Sequence, residues 1–186
     1  MTGNGKEIKM PEHREATPTE LRDLESFLWR DLDSLAAWRA WMEQRQFDGR
    51  EAEASFAEAV AIQEALRQLE AVNNGTVSLA GASNAMSRLN QAIEHHALRP
   101  KVTADGIRMD AGAGDPVGHV LQNLLHAMVT NLWPRFKLCR DTACQASFFD
   151  SSKNGSKIWC SMEICGSRNK MRRHRAKAEA SARSAA

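Results

Sequence analysis

Cys139, Cys144, Cys160 and Cys165 are the only cysteines in the chain, and they fall into two matched pairs, CRDTAC and CSMEIC. Each pair has four residues between its thiols, and fifteen residues separate the pairs. Four soft ligands at this spacing suit one tetrahedral zinc ion. The spacing fixes a small fold and places an arginine-rich segment directly after it. Two disulfides, free thiols and an iron–sulfur cluster are the competing readings of the same residues. Disulfides call for an oxidising compartment, yet the opening MTGNGKEIKMPEHRE is polar and charged, with no apolar run long enough for a signal peptide or a membrane span. A cytoplasmic, reducing setting is therefore expected, where paired cysteines more often hold metal.

At 186 residues, 42% of them hydrophobic, the chain has room for one ordinary domain and a small appended module. The formal charge of +2 conceals a polarity. From Arg135 onward there are twelve Lys or Arg against four Asp or Glu, whereas residues 1–134 carry thirteen against nineteen. An acidic body with a basic end suggests that the end meets a polyanion; a merely solvated basic tail is the plainer alternative.

Residues 1–16 lack apolar periodicity and are expected to form a disordered start. Thr17-Pro18-Thr19-Glu20 reads as a helix start with a Thr cap, Pro in the first turn and Glu returning the bond, followed by Leu21, Leu24, Leu28 and Leu32 at helical spacing. A second helix is expected over about Ser34 to Gln46, with Leu35, Trp38, Trp41 and Met42 on one side and Phe47-Asp48-Gly49 ending it. A third runs from Arg50 to Val72 with Phe56, Val60, Leu66 and Leu69 as its buried stripe and Asn73-Asn74-Gly75 as its stop. Ser78 or Ser83 opens a fourth, carrying Met86, Leu89, Ala92 and Ile93 and closing near His95. Turn chemistry at Ala104-Asp105-Gly106 predicts a short hairpin between Lys101 and Asp110. Asp115-Pro116 then caps the most apolar helix, which runs through Val117, Val120, Leu121, Leu124, Leu125, Met128, Val129 and Leu132 to Trp133-Pro134 and is expected to be central.

Around the cysteines, Phe136-Lys137-Leu138 and Ala146 to Asp150 are β-prone runs that would carry the first pair at a hairpin tip. Ser151 to Gly155 is a polar loop. Ser161 can cap a helix whose first turn holds Cys165, a treble-clef-like arrangement in which the positive helix end favours thiolates. Arg168, Lys170, Arg172, Arg173, His174, Arg175 and Lys177 then crowd into three turns and cover nearly the whole circumference of that helix. So basic a segment cannot pack into a core; it lies in solvent or on phosphates.

Phe136 to Lys177, with C-x4-C, Trp159-Cys160-Ser161, Cys165-Gly166-Ser167-Arg168-Asn169-Lys170 and the RRHR run, resembles the CGNR zinc-finger family of bacterial proteins. One position departs, since the family's Asn in Cys-Gly-Asn-Arg is Ser167 here. In that family the finger follows a mainly helical domain called ABATE and belongs to stress-induced transcription regulators. The resemblance implies a DNA-binding regulator with Cys139, Cys144, Cys160 and Cys165 holding one structural zinc; no enzyme is expected, because the helical body shows no nucleophile–base set. Arg168, Lys170, Arg172, Arg173, Arg175 and Lys177 would contact the nucleic acid.

The domain plan expected is a disordered start over 1–16, a helical ABATE-like domain over 17–134, a CGNR-type finger with its basic helix over 135–178, and a disordered tail over 179–186. The fold class is mainly α (α+β), a helical domain with a small hairpin followed by a treble-clef-like zinc finger with four cysteine ligands. Duplex DNA is the expected partner, with RNA or a protein as the alternative, no membrane, and a homodimer through the body as a further option. RNA recognition by single strands would favour aromatic platforms, and Gly166 to Ala186 has none. Trp29, Trp38 and Trp41 are read as core rather than as a ligand pocket. His95 and His96 beside Glu94 are read as forming no site, because neighbours on a helix point about 100° apart. His119 and His126 are taken as surface or partly buried side chains, and Gly112-Ala113-Gly114 as a joint rather than an anion-binding loop.

Overall fold

The computed structural model describes residues 17–29, 32–104 and 106–184. Six helices are seen among them: α1 (Arg22–Trp29), α2 (Leu35–Glu43), α3 (Ala52–Asn73), α4 (Ser83–His95), α5 (Pro116–Val129) and α6 (Ser167–Ser184). Two antiparallel hairpins complete the fold, β1 (Arg99–Thr103) with β2 (Gly106–Asp110) and β3 (Phe136–Leu138) with β4 (Ser147–Phe149). It is the mainly helical α+β architecture that the sequence suggests. The disordered start expected over 1–16 lies outside the described residues.

Local chemistry sets most helix ends. Ser34 caps α2, its hydroxyl accepting the amide of Ala37 at 3.2 Å, and Asp115 caps α5 by accepting that of Gly118 at 2.8 Å. Asn74 and Gly75 stop α3, with Gly75 in the left-handed region at φ 67°. Gly112 and Gly114, at φ 80° and 83°, let the chain turn from β2 into α5. The capping box expected at Thr17 does not form. Thr19–Leu21 is instead a single 3-10 turn without a side-chain cap, and the Thr17 hydroxyl is buried with no hydrogen bond among the described residues.

One apolar core joins α1 to α5. Trp38 and Trp41 are fully buried and stacked 5.1 Å apart, with Phe27 edge-on to both. Trp41 Nε1 donates to Ser26 Oγ and Trp38 Nε1 to Ser55 Oγ, both at 3.0 Å, so neither indole is stranded. Trp29, expected with them, is only half-buried. On α5, Val117, Val120, Leu121, Leu124 and Ala127 are buried, but Met128 and Val129 emerge into solvent as the helix runs past the core.

The core does not end where the basic region begins. Trp133, Phe136 and Phe149 belong to the same apolar cluster as Leu66 and Leu124, so the β3–β4 hairpin, paired Phe136 to Phe149, is built into the body. At the other end of the chain α6 continues through Ser184, so residues 179–184 are helical rather than a loose tail. Every second residue from Ala176 to Ala182 is Ala, which favours helix without needing a packing partner.

Candidate metal centre and basic helix

Each cysteine is placed by a short element. Cys139 follows β3 and extends the hairpin, its amide donating to the carbonyl of Ala146 at 2.8 Å. A tight turn folds the chain back, with Cys144 and Gln145 both donating to the Asp141 carbonyl. Ser161 caps the last segment as expected, its hydroxyl accepting from Ile164 at 3.2 Å. A wide helical turn over Met162–Gly166 brings Cys165 inward before α6 begins. Two ligands thus come from a hairpin turn and two from a helix start.

The four sulfur atoms lie within 4.8 Å of one another, with Cys144 Sγ to Cys160 Sγ at 3.6 Å and Cys160 Sγ to Cys165 Sγ at 3.7 Å. Four sulfurs at about 2.3 Å from one tetrahedral zinc would be about 3.8 Å apart. A disulfide would need about 2.0 Å, and all four thiols are free. The cluster therefore fits one structural zinc, whose four thiolates leave no position for water. Phe148 and Trp159 pack against the cysteines and shield them.

The thiols cannot all ionise without a cation. Cys139 is drawn down to about 5, chiefly because the Cys160 thiol hydrogen-bonds to it, helped by the backbone amides of Cys160 and Asp141 against the opposing effect of burial. Cys160 moves far upward because its hydrogen bond to Cys139, its burial and the neighbouring negative charge all favour the thiol. Burial first, and then the charge on Cys139, push Cys165 up to about 12. A dication removes this conflict by replacing the protons.

Asp141, between the first two ligands, is fully buried. Its carboxylate accepts the Ala143 amide at 3.2 Å and Arg168 Nη1 at 2.7 Å, with Arg172 Nη1 at 3.8 Å. Burial opposes its ionisation, but the Ala143 amide and the two guanidinium groups together hold its carboxyl below the usual range. Nothing in the sequence alone marked Asp141; only its place inside C-x4-C could have hinted at it. Asn169 is also buried, donating to the Cys165 carbonyl at 2.9 Å and accepting from Arg172. Ser167, at the position where the family pattern has Asn, is exposed and reaches only back to the Met162 carbonyl at 3.4 Å.

These contacts divide the basic residues into two faces. Arg168 and Arg172 turn inward to Asp141, and Arg168, Met171, Arg172, Arg175 and Ala176 line one shallow groove. Lys170, Arg173, His174 and Lys177 recur at i, i+3, i+4 and i+7, which places them on the opposite face, and all four are exposed. Among the described residues no carboxylate pairs with Lys170, Arg173, Arg175 or Lys177.

The finger is anchored at the C-terminal end of α3. Asn73 Nδ2 donates to the carbonyls of Trp133 and Phe136, both at 2.9 Å, and Asn74 Nδ2 donates to that of Leu138. Arg140 returns a bond from Nε to the Asn74 carbonyl at 3.1 Å, and Arg67 Nη2 donates to the Gln145 carbonyl at 2.8 Å. Fully buried Glu70 accepts from the Ser147 hydroxyl, and its burial raises its carboxyl to about 8.

A four-thiolate cluster shared between a β-hairpin and a helix start defines a zinc finger of structural type. Residues 135–178 match the family model of the CGNR zinc finger, and the chain carries that module with Cys139, Cys144, Cys160 and Cys165 positioned for its metal. No curated protein matches the chain. Among the described residues no helix is long and apolar enough to cross a membrane.

Proposed function

We propose that the protein is a zinc-dependent, DNA-binding regulator of transcription in which α6 lies on duplex DNA. The observation that supports it is the presentation of α6: its first turn is fixed to the cysteine cluster and to Asp141, and every described side chain beyond Asn169 is exposed, most of them basic in the first three turns. On this reading Lys170, Arg173 and Lys177 meet phosphates first, and Arg168 and Arg172 chiefly hold the helix in place. Residues 17–134 form an ABATE-like body that senses a signal or dimerises, and the protein works in a reducing cytoplasm without catalysing a reaction.

The test is binding of the zinc-loaded protein to random duplex DNA and to RNA of equal length across a salt series. Each neutralised phosphate contributes about −0.9 to the slope of log affinity against log salt. Steep, duplex-preferring binding is the expected result, and zinc-loaded protein without nucleic-acid affinity would overturn the reading.

A second reading, a protein-binding adaptor, draws on three exposed apolar side chains, Met162 and Ile164 just before the basic helix and Met171 on it. Met162, Ile164 and Met171 are 69%, 61% and 57% exposed. Such a group suits a protein partner, and loss of partner binding in Ile164→Ser with unchanged DNA affinity would favour it.

A further inference from the structure

The second cluster of metal-ligating side chains lies in the helical body. Adjacent histidines on a continuous helix diverge, which is the ground for expecting no site at His95 and His96. The helix, however, ends there. His95 is the last residue of α4, His96 caps it with its backbone outside the helix at φ −78° and ψ 3°, and the two rings sit edge to face with centroids 5.1 Å apart. Glu58, from the first half of α3, faces both. One ligand atom from each of Glu58, His95 and His96 can be chosen so that all lie within 4.8 Å of one another.

The environment of His96 points to a ligand. Its side chain is 11% exposed, and Nδ1 lies 2.6 Å from Asp115 Oδ2. Asp115 is itself held by capping α5 through its other oxygen. With Nδ1–H donating to this carboxylate, the proton stays on Nδ1 and Nε2 keeps its lone pair, the arrangement by which proteins orient metal-bound histidines. Nε2 is sealed from solvent, makes no hydrogen bond among the described residues, and lies 3.4 Å from Glu58 Oε1. A buried nitrogen without a hydrogen bond, beside a carboxylate and on a residue whose neighbour is a second imidazole, is a group that a cation would satisfy.

We propose that Glu58, His95 and His96 bind one borderline divalent cation of the zinc or nickel class, with Asp115 positioning His96. Two imidazoles and a carboxylate suit such an ion and leave at least one coordination position for water or an anion. The site is separate from the cysteine cluster: Glu58 lies twelve residues before Glu70, which contacts the finger, and that is about 18 Å along α3. It would staple α3 to the end of α4 and the start of α5, and the last two bracket the β1–β2 hairpin. A three-ligand site with an open position exchanges its ion more readily than four thiolates, so the body would respond to metal while the finger keeps its own.

The experiment uses tag-free full-length protein carrying one zinc in the finger. Cobalt(II) is titrated in, with bound metal counted by equilibrium dialysis and the absorption spectrum recorded. The expected result is one further equivalent per chain, with cobalt ligand-field bands and no thiolate-to-metal charge transfer. Glu58→Gln and His96→Gln should each weaken this equivalent at least about tenfold, and Asp115→Asn, which can still cap α5, by about 10- to 100-fold. The finger zinc should be retained in all three. A stoichiometry that stays at one, or a second equivalent that survives both Glu58→Gln and His96→Gln, overturns the proposal; Glu58 is 36% exposed, so that variant keeps the fold intact.

Discussion

Arg168 Nη1 donates to the buried carboxylate of Asp141 at 2.7 Å, joining the turn between the first two cysteines to the first turn of the helix that follows the fourth. The pair closes the finger from outside the metal. It also turns the arginine of the CGNR pattern toward Asp141 and gives it a structural role, although its side chain is still half exposed.

Arg168→Ala should leave Asp141 buried with only the Ala143 amide and a distant Arg172, at a cost of about 1.5–3 kcal/mol to the finger. Zinc transfer to a chromophoric chelator should quicken, and Asp141→Asn combined with Arg168→Ala should recover part of the loss. Equal release rates in wild type and Arg168→Ala would remove the latch role.

Lys170→Gln, Arg173→Gln and Lys177→Gln together should lower the salt slope of duplex binding by about 3, since each contributes about 0.9 if it neutralises one phosphate. Arg168→Gln should act instead through zinc retention. Fluorescence anisotropy at several salt concentrations separates the two, and identical slopes in the triple variant and the wild type would refute the exposed-face assignment.

Cys144→Ser or Cys165→Ser should abolish zinc binding, which supplies on the order of 10–16 kcal/mol to structural sites. Loss of structure should concentrate in Met162–Ser184, while β3 and β4 are partly retained because Phe136 and Phe149 belong to the body's core. Hydrogen exchange with and without chelator would show it. Uniform protection after complete zinc removal would contradict the prediction.

Glu70 gives the fold a pH dependence of definite sign. Burial raises its folded pKa to about 8, opposed by the Ser147 hydroxyl and by Arg67, so the folded protein holds a proton that the unfolded chain has lost above about 4.5. This contribution is complete below the unfolded value and is lost as pH rises through about 8, at up to about 1.4 kcal/mol per pH unit. Melting temperature should therefore fall between pH 5 and pH 8, and Glu70→Gln should flatten the profile. An unchanged slope in that variant would exclude Glu70 as the source.

The features legible in the chain are those that depend on neighbours along it. The two C-x4-C pairs announced the metal because a ligand pair is a local device. Ser34, Asp115 and Ser161 announced helix starts because a cap bonds three residues ahead. The helical stripe of α4 and the hairpin expected between Lys101 and Asp110 follow from periodicity and turn chemistry in the same way, although β1 begins two residues earlier, at Arg99. The remaining contacts are set by the folded arrangement, because they join residues far apart along the chain. Asp141 meets Arg168 across 27 positions, and Ser147 meets Glu70 across 77. The β3–β4 hairpin belongs to the finger by its cysteines and its place in the family match, and Phe136 and Phe149 also complete the body's core. Helical geometry separates His95 from His96 only on a continuous helix and ceases to apply where α4 ends, and Glu58 reaches them only because α3 packs against α4.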